Sequence, residues 1–125
     1  MLIATWNVNS IRTRLTQILD WINQVNPDVL CLQETKVSDD MFPIKPFEKI
    51  GYSVEIYGQK SYNGVAIISK IKSKNVTRGF NDFIEPYQNI EIFLDQKRLI
   101  SADFNGIKII NVYVPNGSSL DSDKF

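Results

Sequence analysis

The stretch LIATWNVNSIRTRLTQILDWINQVNPDVLCL, residues 2–32, decides the fold of this 125-residue chain. Two apolar segments, 2–8 and 28–32, flank a middle segment whose apolar residues recur every three or four positions, at Ile11, Leu15, Ile18, Ile22 and Val25. This spacing predicts an amphipathic helix with one core face, capped by Asn9 or Ser10 and ended by Asn26-Pro27. Strand, helix and strand in that order predict a βαβ unit with parallel strands and a right-handed crossover.

The rest of the chain is rich in predicted strands. Five further segments have the apolar composition of strands: SVEIYG (53–58), GVAIIS (64–69), NIEIFL (89–94), RLISADF (98–104) and IKIINVYV (107–114). The last two form a predicted hairpin that turns at Asn105-Gly106, a dipeptide typical of two-residue hairpin loops. Segment 38–52 contains two prolines and is expected to be irregular or weakly helical. The lysines of SKIKSK (69–74) indicate an exposed edge.

The composition is that of one ordinary globular domain over residues 1–125, with 43% hydrophobic and 22% charged residues. Lys plus Arg and Asp plus Glu number 14 each, so no global field attracts nucleic acid, and DNA binding must come from local patches. The sequence has no histidine, which removes the commonest general base and metal ligand.

The lone cysteine, Cys31, lies in a predicted strand, where packing is its expected role. One cysteine excludes a disulfide framework and is typical of a reducing compartment, so we expect a cytoplasmic protein. The apolar runs are far shorter than the ~20 residues that span a bilayer. Asn7 and Asn9 interrupt the first apolar segment, so no membrane span and no secretory leader are expected.

Polar side chains follow three of the predicted strands at the point where each strand ends. Asn7 follows the first strand, Glu34 follows its parallel neighbour, and Tyr113 and Asn116 lie at the end of the hairpin. The carboxyl ends of parallel strands meet at one edge of a sheet, where open α/β folds bind ligands, so Asn7 and Glu34 should lie side by side. A carboxylate beside an amide suits a hard cation such as Mg2+.

These residues also have plainer interpretations. Polar residues after a strand are ordinary where the chain reaches the surface. By residue type alone, Tyr113 is a core aromatic with a solvated hydroxyl, Asn116 is part of a turn, and Arg12 is a solvated helix residue. Trp6 and Trp21 are expected to pack in the core.

The order and spacing of four motifs resemble those of the exonuclease III family of apurinic/apyrimidinic endonucleases. The motifs are TWNVNSIRTR (5–14), PDVLCLQETK (27–36), YGQKSYNGVAIIS (57–69) and NVYVPNG (111–117). The resemblance covers nearly the whole chain but only about the N-terminal half of the usual family length. It implies a DNase I-like, four-layer α/β sandwich, of which this chain would supply one half: a mixed sheet with an outer helix. The C-terminal half would be absent, leaving an apolar inner face open to self-association.

The resemblance also implies roles for individual residues. Glu34 matches a ligand of Mg2+, or alternatively Mn2+, and Asn7 matches the asparagine that organises this metal site. Tyr113 matches an active-site tyrosine beside the phosphate, and Asn116 matches an amide that binds a phosphate oxygen. Positions along the DNA-backbone path are Arg12, Lys36, Lys60, Ser61, Tyr62 and Asn63. Such contacts fix register without distinguishing sequence.

The function implied by the resemblance is that of a magnesium-dependent DNA repair nuclease. It would hydrolyse phosphodiester bonds 5′ to abasic sites and remove nucleotides from 3′ ends, with duplex DNA carrying abasic or 3′-blocked sites as its partner. The family's later motifs, an Asp-x-Asn pair, a further aspartate and an Asp-His pair, cannot be assigned here. The alternative is a catalytically incomplete fragment that acts at most as a DNA-binding or interaction module.

The hairpin register tests whether Asp103 replaces a missing aspartate. A two-residue turn pairs Asp103 with Lys108 and Arg98 with Tyr113. Asp103 then lies five residues from the level of Tyr113, roughly 17 Å at ~3.4 Å per residue, too far to act there. The same register brings Arg98 beside Tyr113, where it would orient the phenol or bind a DNA phosphate.

Overall fold

The computed structural model describes residues 1–79 and 97–114. In chain order its elements are β1 (Ile3–Asn7), α1 (Ile11–Val25), β2 (Val29–Gln33), a 3-10 turn (Asp39–Met41), α2 (Ile44–Lys49), β3 (Ser53–Tyr57), β4 (Val65–Ser69), β5 (Lys74–Arg78), β6 (Leu99–Phe104) and β7 (Ile107–Val112). The strand predicted over 89–94 and the site residue Asn116 lie outside the described residues. In the described part of the chain, no helix is long and apolar enough to cross a membrane.

The predicted βαβ unit is confirmed. β1 and β2 pair in parallel, with Asn7 opposite Gln33. The side chain of Ser10 caps α1 by accepting a hydrogen bond from the Thr13 amide at 3.3 Å, and Asn26 ends the helix in the left-handed conformation. Ile11, Ile18 and Ile22 are buried as the spacing predicts, whereas Val25, at the last turn, is 40% exposed.

The first sheet has the strand order β1-β2-β4-β3, with β4 antiparallel to both of its neighbours. One face of this sheet packs against α1 and α2 in a core that includes Leu30, Leu32, Ile68 and Phe47. Trp6 and Trp21 pack on the same core edge to face, with ring centroids 5.9 Å apart, which confirms their predicted packing role. Segment 38–52, expected to be irregular or weakly helical, forms a 3-10 turn and the short helix α2.

The second sheet has the order β5-β6-β7 and covers the other face of the first. Val29, Cys31, Val65 and Ile67 from β2 and β4 form one buried cluster with β6 and β7 residues, including Ile100. The expectation that the chain supplies one sheet with an open inner face is therefore wrong. The sequence pattern did not separate the final hairpin from the first sheet, because the strands of both sheets are rich in apolar residues.

The predicted hairpin register is confirmed. Asp103 pairs with Lys108, and their side chains form an ion pair at 3.3 Å. One step beyond β7, the Tyr113 amide donates to the Arg98 carbonyl at 2.7 Å, so these two residues are neighbours. β5 was not predicted, because its sequence KNVTR is polar. In the structure, a register shift interrupts its pairing with β6. The lysines of 69–74 are exposed as expected.

β1 and β7 form the outer edges of their sheets within the described residues. Segment 107–112 is not buried on both faces, because Ile110 and Val112 are 47% and 41% exposed. An open pocket of about 350 Å3 separates the two edges. Beside it, Ile3 is 45% exposed. Exposed apolar side chains of β1 and β7 therefore flank this pocket at one end of the sandwich.

Candidate metal and nucleic-acid site

The candidate site lies where β1 and β2 end. Their parallel pairing continues into the following loops, where the amides of Val8, Ser10 and Ile11 donate to the carbonyls of Gln33, Glu34 and Thr35, at 3.0, 2.8 and 3.0 Å. These bonds dock the start of α1 against the segment that follows β2. As predicted, Asn7 and Glu34 therefore lie side by side.

The Glu34 carboxylate is held from three directions. Its Oε1 accepts a hydrogen bond from Asn7 Nδ2 at 3.3 Å, and its Oε2 forms an ion pair with Lys36 Nζ at 3.3 Å. The hydroxyl of Tyr113, at the end of the second sheet, lies near this carboxylate and favours its ionised form. The structure thus brings together three of the four residues predicted for the catalytic and metal site, and the fourth, Asn116, lies outside the described residues.

The backbone around Glu34 is strained. Glu34 and Lys36 have φ angles of 55° and 60°, and Ser10, against them, has 91°. Residues other than glycine seldom adopt the left-handed region, and they persist there when the surroundings hold them. The segment is held by backbone hydrogen bonds from Thr35 to Gly64 at 3.2 Å and from Lys36 to Asn63 at 3.0 Å.

Gly64 makes this pairing feasible. It has a φ of +93°, and a Cβ atom at this position would collide with the Thr35 hydroxyl. The loop after β3 can therefore approach the Glu34 segment only because residue 64 has no side chain.

Opposing effects set the pKa of Glu34. Partial burial raises it, but hydrogen bonds from Tyr113, Asn7 and Lys36, together with the charge of Lys36, outweigh burial and hold the pKa below its ordinary value. Burial is also the main cause of the pKa shift of Tyr113. Burial and the adjacent Glu34 carboxylate raise the pKa of Tyr113 to about 12, against a smaller lowering by Arg98. At neutral pH the site therefore contains an ionised carboxylate and a protonated phenol.

A basic pocket adjoins this carboxylate. Its volume is about 410 Å3, and the residues that line it are Arg12, Lys36, Val37, Ser38, Met41, Lys60 and Ser61. Four of the seven residues predicted to contact DNA thus share one pocket, and three of them are cationic. Lys36 links the pocket to the carboxylate, because its Nζ forms the ion pair with Glu34. The same Nζ donates to Asn9 Oδ1 at 2.5 Å.

The other predicted DNA residues differ in environment. Tyr62 is 69% exposed beside the pocket, on the same loop as Lys60. Asn63 is half-buried and donates to Gln59 Oε1 at 3.0 Å. Arg98 is only 9% exposed and acts electrostatically on Tyr113. Its burial favours the interpretation in which Arg98 orients the phenol.

Comparison with known protein families identifies a domain in this chain. Residues 4–106 match the model of the Endonuclease/Exonuclease/phosphatase family. The chain belongs to this family. The predicted resemblance is confirmed at this level, and the matched segment includes Asn7, Glu34 and the loop that carries Lys60.

Several known proteins resemble the chain over nearly its whole length. Exodeoxyribonuclease III of Haemophilus influenzae is 39% identical over 123 residues, which are 95% of this chain and 43% of that protein. An AP endonuclease from Archaeoglobus fulgidus is 46% identical with a TM-score of 0.85, over 99% of this chain and 45% of its own. The 3′ phosphatase NExo from Neisseria, bound to a product DNA hairpin, is 40% identical with a TM-score of 0.83, over 99% and 45%. The α/β, DNase I-like fold is confirmed, and the chain spans less than half the length of these relatives.

Glu34 and Asn7 are the residues available to a divalent metal at this site. Glu34 supplies an ionised carboxylate, and Asn7 has an amide oxygen that accepts from the Asn9 amide at 3.2 Å; both groups are hard donors. Within residues 1–79 and 97–114, no three His, Cys, Asp or Glu side chains cluster to hold a metal ion. Mg2+ commonly uses one or two carboxylates and takes its other ligands from water and substrate phosphate. The donor set therefore fits Mg2+ as a half-site.

Two residues next to the site, Asn111 and Gln33, were not predicted to have a role. Asn111 is 2% exposed, and its side chain bonds to Gln33 and to two backbone carbonyls. A signal was present in the sequence, because Asn111 interrupts the apolar segment IINVYV at an inward-facing position. A buried amide in a strand requires hydrogen-bond partners, which the sequence alone does not identify.

Proposed function

We propose that this chain is the metal- and phosphate-binding part of a magnesium-dependent DNA repair nuclease. The nuclease would hydrolyse phosphodiester bonds 5′ to abasic sites and remove nucleotides from 3′ ends. The observation that carries the proposal is the Glu34 carboxylate, held ionised by Asn7, Lys36 and Tyr113 beside a pocket with three cations. Relatives named exodeoxyribonuclease III and AP endonuclease support the same chemistry.

The metal half-site would consist of Glu34 and Asn7. When bound, Mg2+ supplies charge stabilisation to the scissile phosphate as a Lewis acid. Glu34 is ionised at neutral pH, so it can bind a cation without first losing a proton. Lys36 occupies one carboxylate oxygen, so the cation and the ammonium group compete for Glu34.

Tyr113 would donate a hydrogen bond to the reacting phosphate. With its pKa raised to about 12, the phenol remains protonated at neutral pH, so it cannot serve as the base. A protonated donor fixed against the metal ligand stabilises negative charge that develops on a phosphate oxygen. The resemblance assigns a similar role to Asn116, which lies outside the described residues.

The basic pocket would bind the DNA backbone. Arg12, Lys36 and Lys60 bring three positive charges to one concave surface, although the chain has no net charge. Contacts from such side chains to phosphates position a duplex without distinguishing its sequence. That mode of binding suits an enzyme whose target is a lesion, such as an abasic or 3′-blocked site, within any sequence.

A second function is a DNA-binding module without catalysis. The observation that favours it is the single carboxylate at the site, together with the absence of histidine from the sequence and of a multi-residue metal cluster from the described residues. Nuclease groups that act as a unit lose most of their rate when one is removed. This module would use the same basic pocket.

The two functions are separated by incubating the purified chain with a duplex oligonucleotide that carries one abasic site. Incision is measured with Mg2+, with a chelator, and with the Glu34→Gln variant. Glu48→Gln removes an exposed carboxylate from α2 and serves as the matched control. Binding is measured in parallel by fluorescence anisotropy in the presence of the chelator, and circular dichroism shows that each variant is folded.

Magnesium-dependent incision that Glu34→Gln abolishes and Glu48→Gln preserves would support the nuclease. DNA binding by a folded chain that never incises would support the second function. A folded chain that neither incises nor binds the DNA would contradict both functions.

A further inference from the structure

Asn111 is a buried amide whose side chain joins the two sheets. Its Nδ2 donates to the Leu32 carbonyl at 2.9 Å and to the Ala66 carbonyl at 2.8 Å, and both acceptors belong to the first sheet. Its Oδ1 accepts from Gln33 Nε2 at 2.7 Å. Asn111 itself belongs to β7 of the second sheet, so the donors and the acceptor of one amide all bond across the sandwich.

Gln33 extends this contact to a third strand. Its Nε2 also lies 2.8 Å from Thr5 Oγ1 on β1. We call Asn111 and Gln33 the amide bridge. It connects β1, β2 and β7, which are the three strands that carry Asn7, Glu34 and Tyr113 at their ends.

The bridge lies one layer of side chains below the site. Thr5 and Asn111 each precede a site residue by two positions, so they point to the same side of their strands as Asn7 and Tyr113. Gln33 immediately precedes Glu34. A displacement of β7 along β2 or away from it would therefore break the bridge and, at the same time, separate Tyr113 from Glu34.

We propose that Asn111 and Gln33 are positioning residues that hold the Tyr113 hydroxyl against the Glu34 carboxylate. The chemical importance of that contact rests on the proposed nuclease function, but the positioning itself does not. Apolar packing between the sheets is not directional, whereas three hydrogen bonds from one amide define the register of β7 against β2. The bridge thus fixes the register of β7, which the surrounding apolar cluster alone does not fix.

The test is the NMR signal of the Tyr113 ring carbon that bears the hydroxyl, recorded on the free chain without metal or DNA. Tyr113→Phe identifies the signal, and Tyr62, which is 69% exposed, gives the position of a hydroxyl bonded to water. Asn111→Asp keeps the side-chain size but replaces the two donated bonds with repulsion between oxygens. Gln33→Met removes the other half of the bridge at similar volume and leaves Asn111 on both carbonyls.

The control is Phe104→Leu, a change in the same inter-sheet cluster but away from the bridge. We expect the Tyr113 signal of either bridge variant to move toward that of Tyr62, while Phe104→Leu leaves it in place at an equal or greater loss of thermal stability. If Asn111→Asp does not fold, the half-buried Gln33→Met variant decides alone. An unchanged Tyr113 signal in a folded bridge variant, or an equal shift in Phe104→Leu, would overturn the proposal. Because the signal requires no DNA, the outcome is independent of whether the chain is a nuclease.

Discussion

Tyr113 and Glu34 follow strands of different sheets, yet their side chains lie close enough for each to shift the pKa of the other. The contact lowers the pKa of one partner and raises that of the other, because it favours the ionised carboxylate and the protonated phenol together. Each pKa shift has a consequence for stability that can be measured on the chain itself.

The first prediction concerns alkaline pH. Tyr113 has a folded-state pKa of about 12 against an ordinary value of 10.0, so its contribution is fully present below pH 10 and is lost as the pH rises through 12. Tyr113→Phe should therefore flatten the fall in the free energy of unfolding over this window. Urea denaturation at a series of pH values measures it, with Tyr62→Phe as the exposed control. An equally steep fall in both variants would contradict the prediction.

The second prediction concerns acid. The folded-state pKa of Glu34 lies below its ordinary value of 4.5, so its contribution is present above that value and is lost as the pH falls through the folded pKa. Glu34→Gln should lower stability at neutral pH and reduce the dependence of stability on pH below 4.5. Glu48→Gln should keep the parental profile, and a parental profile in Glu34→Gln would count against the contacts described for Glu34.

The third prediction separates metal from DNA binding. Lys36 neutralises one oxygen of Glu34 and also lines the basic pocket. Lys36→Met should tighten Mg2+ binding, because a competing cation is removed, and should weaken DNA binding. Isothermal titration with Mg2+ and anisotropy with DNA measure the two effects. Arg12→Met should weaken DNA binding alone, and parallel changes in both affinities for Lys36→Met would show that no competition exists.

The fourth prediction concerns the salt dependence of DNA binding. If Lys60 contacts a phosphate, Lys60→Ala should weaken binding of every duplex to a similar degree and reduce the slope of log affinity against log salt by about 0.9. Lys72 is exposed outside the residues that line the pocket, so Lys72→Ala is the matched control. Equal slopes for the two variants would place the DNA elsewhere.

The fifth prediction compares two glycines with similar backbone angles. Gly51 has a φ of +88° with open space around it, whereas Gly64 has +93° and lies against Thr35. Gly51→Ala should cost about 1–2 kcal/mol of unfolding free energy, the cost of the left-handed conformation. Gly64→Ala adds overpacking and should cost roughly 3 kcal/mol or more. Similar losses, measured by urea denaturation, would show that the loop yields freely.

The local pattern of the sequence predicted the βαβ unit, the hairpin and its register well. Hydrophobic spacing sets the buried face of α1, and Asn105-Gly106 sets which residues of the hairpin oppose one another. It did not predict that the hairpin leaves the first sheet to cover it. That choice depends on packing between distant segments, such as Ile67 against Ile100, which leaves no periodic signal.

The contacts of the candidate site were likewise predictable within a sheet but not between the two sheets. The proximity of Asn7 and Glu34 followed from parallel pairing, and that of Arg98 and Tyr113 followed from the turn. The contact between Tyr113 and Glu34 did not follow from either, because it crosses between sheets. Asn111 was overlooked for the same reason, since the carbonyls that satisfy it belong to the other sheet.

The separation of the site residues along the chain bears on the order of folding. Asn7 and Glu34 are 27 residues apart within one βαβ unit, whereas Gln33 and Asn111 are 78 residues apart. Closing the shorter loop costs less chain entropy, so the pair at the strand ends can assemble while later strands are still being synthesised. The arrival of β7 then brings Tyr113 to Glu34, and the contact between these two residues reports that the two sheets have closed.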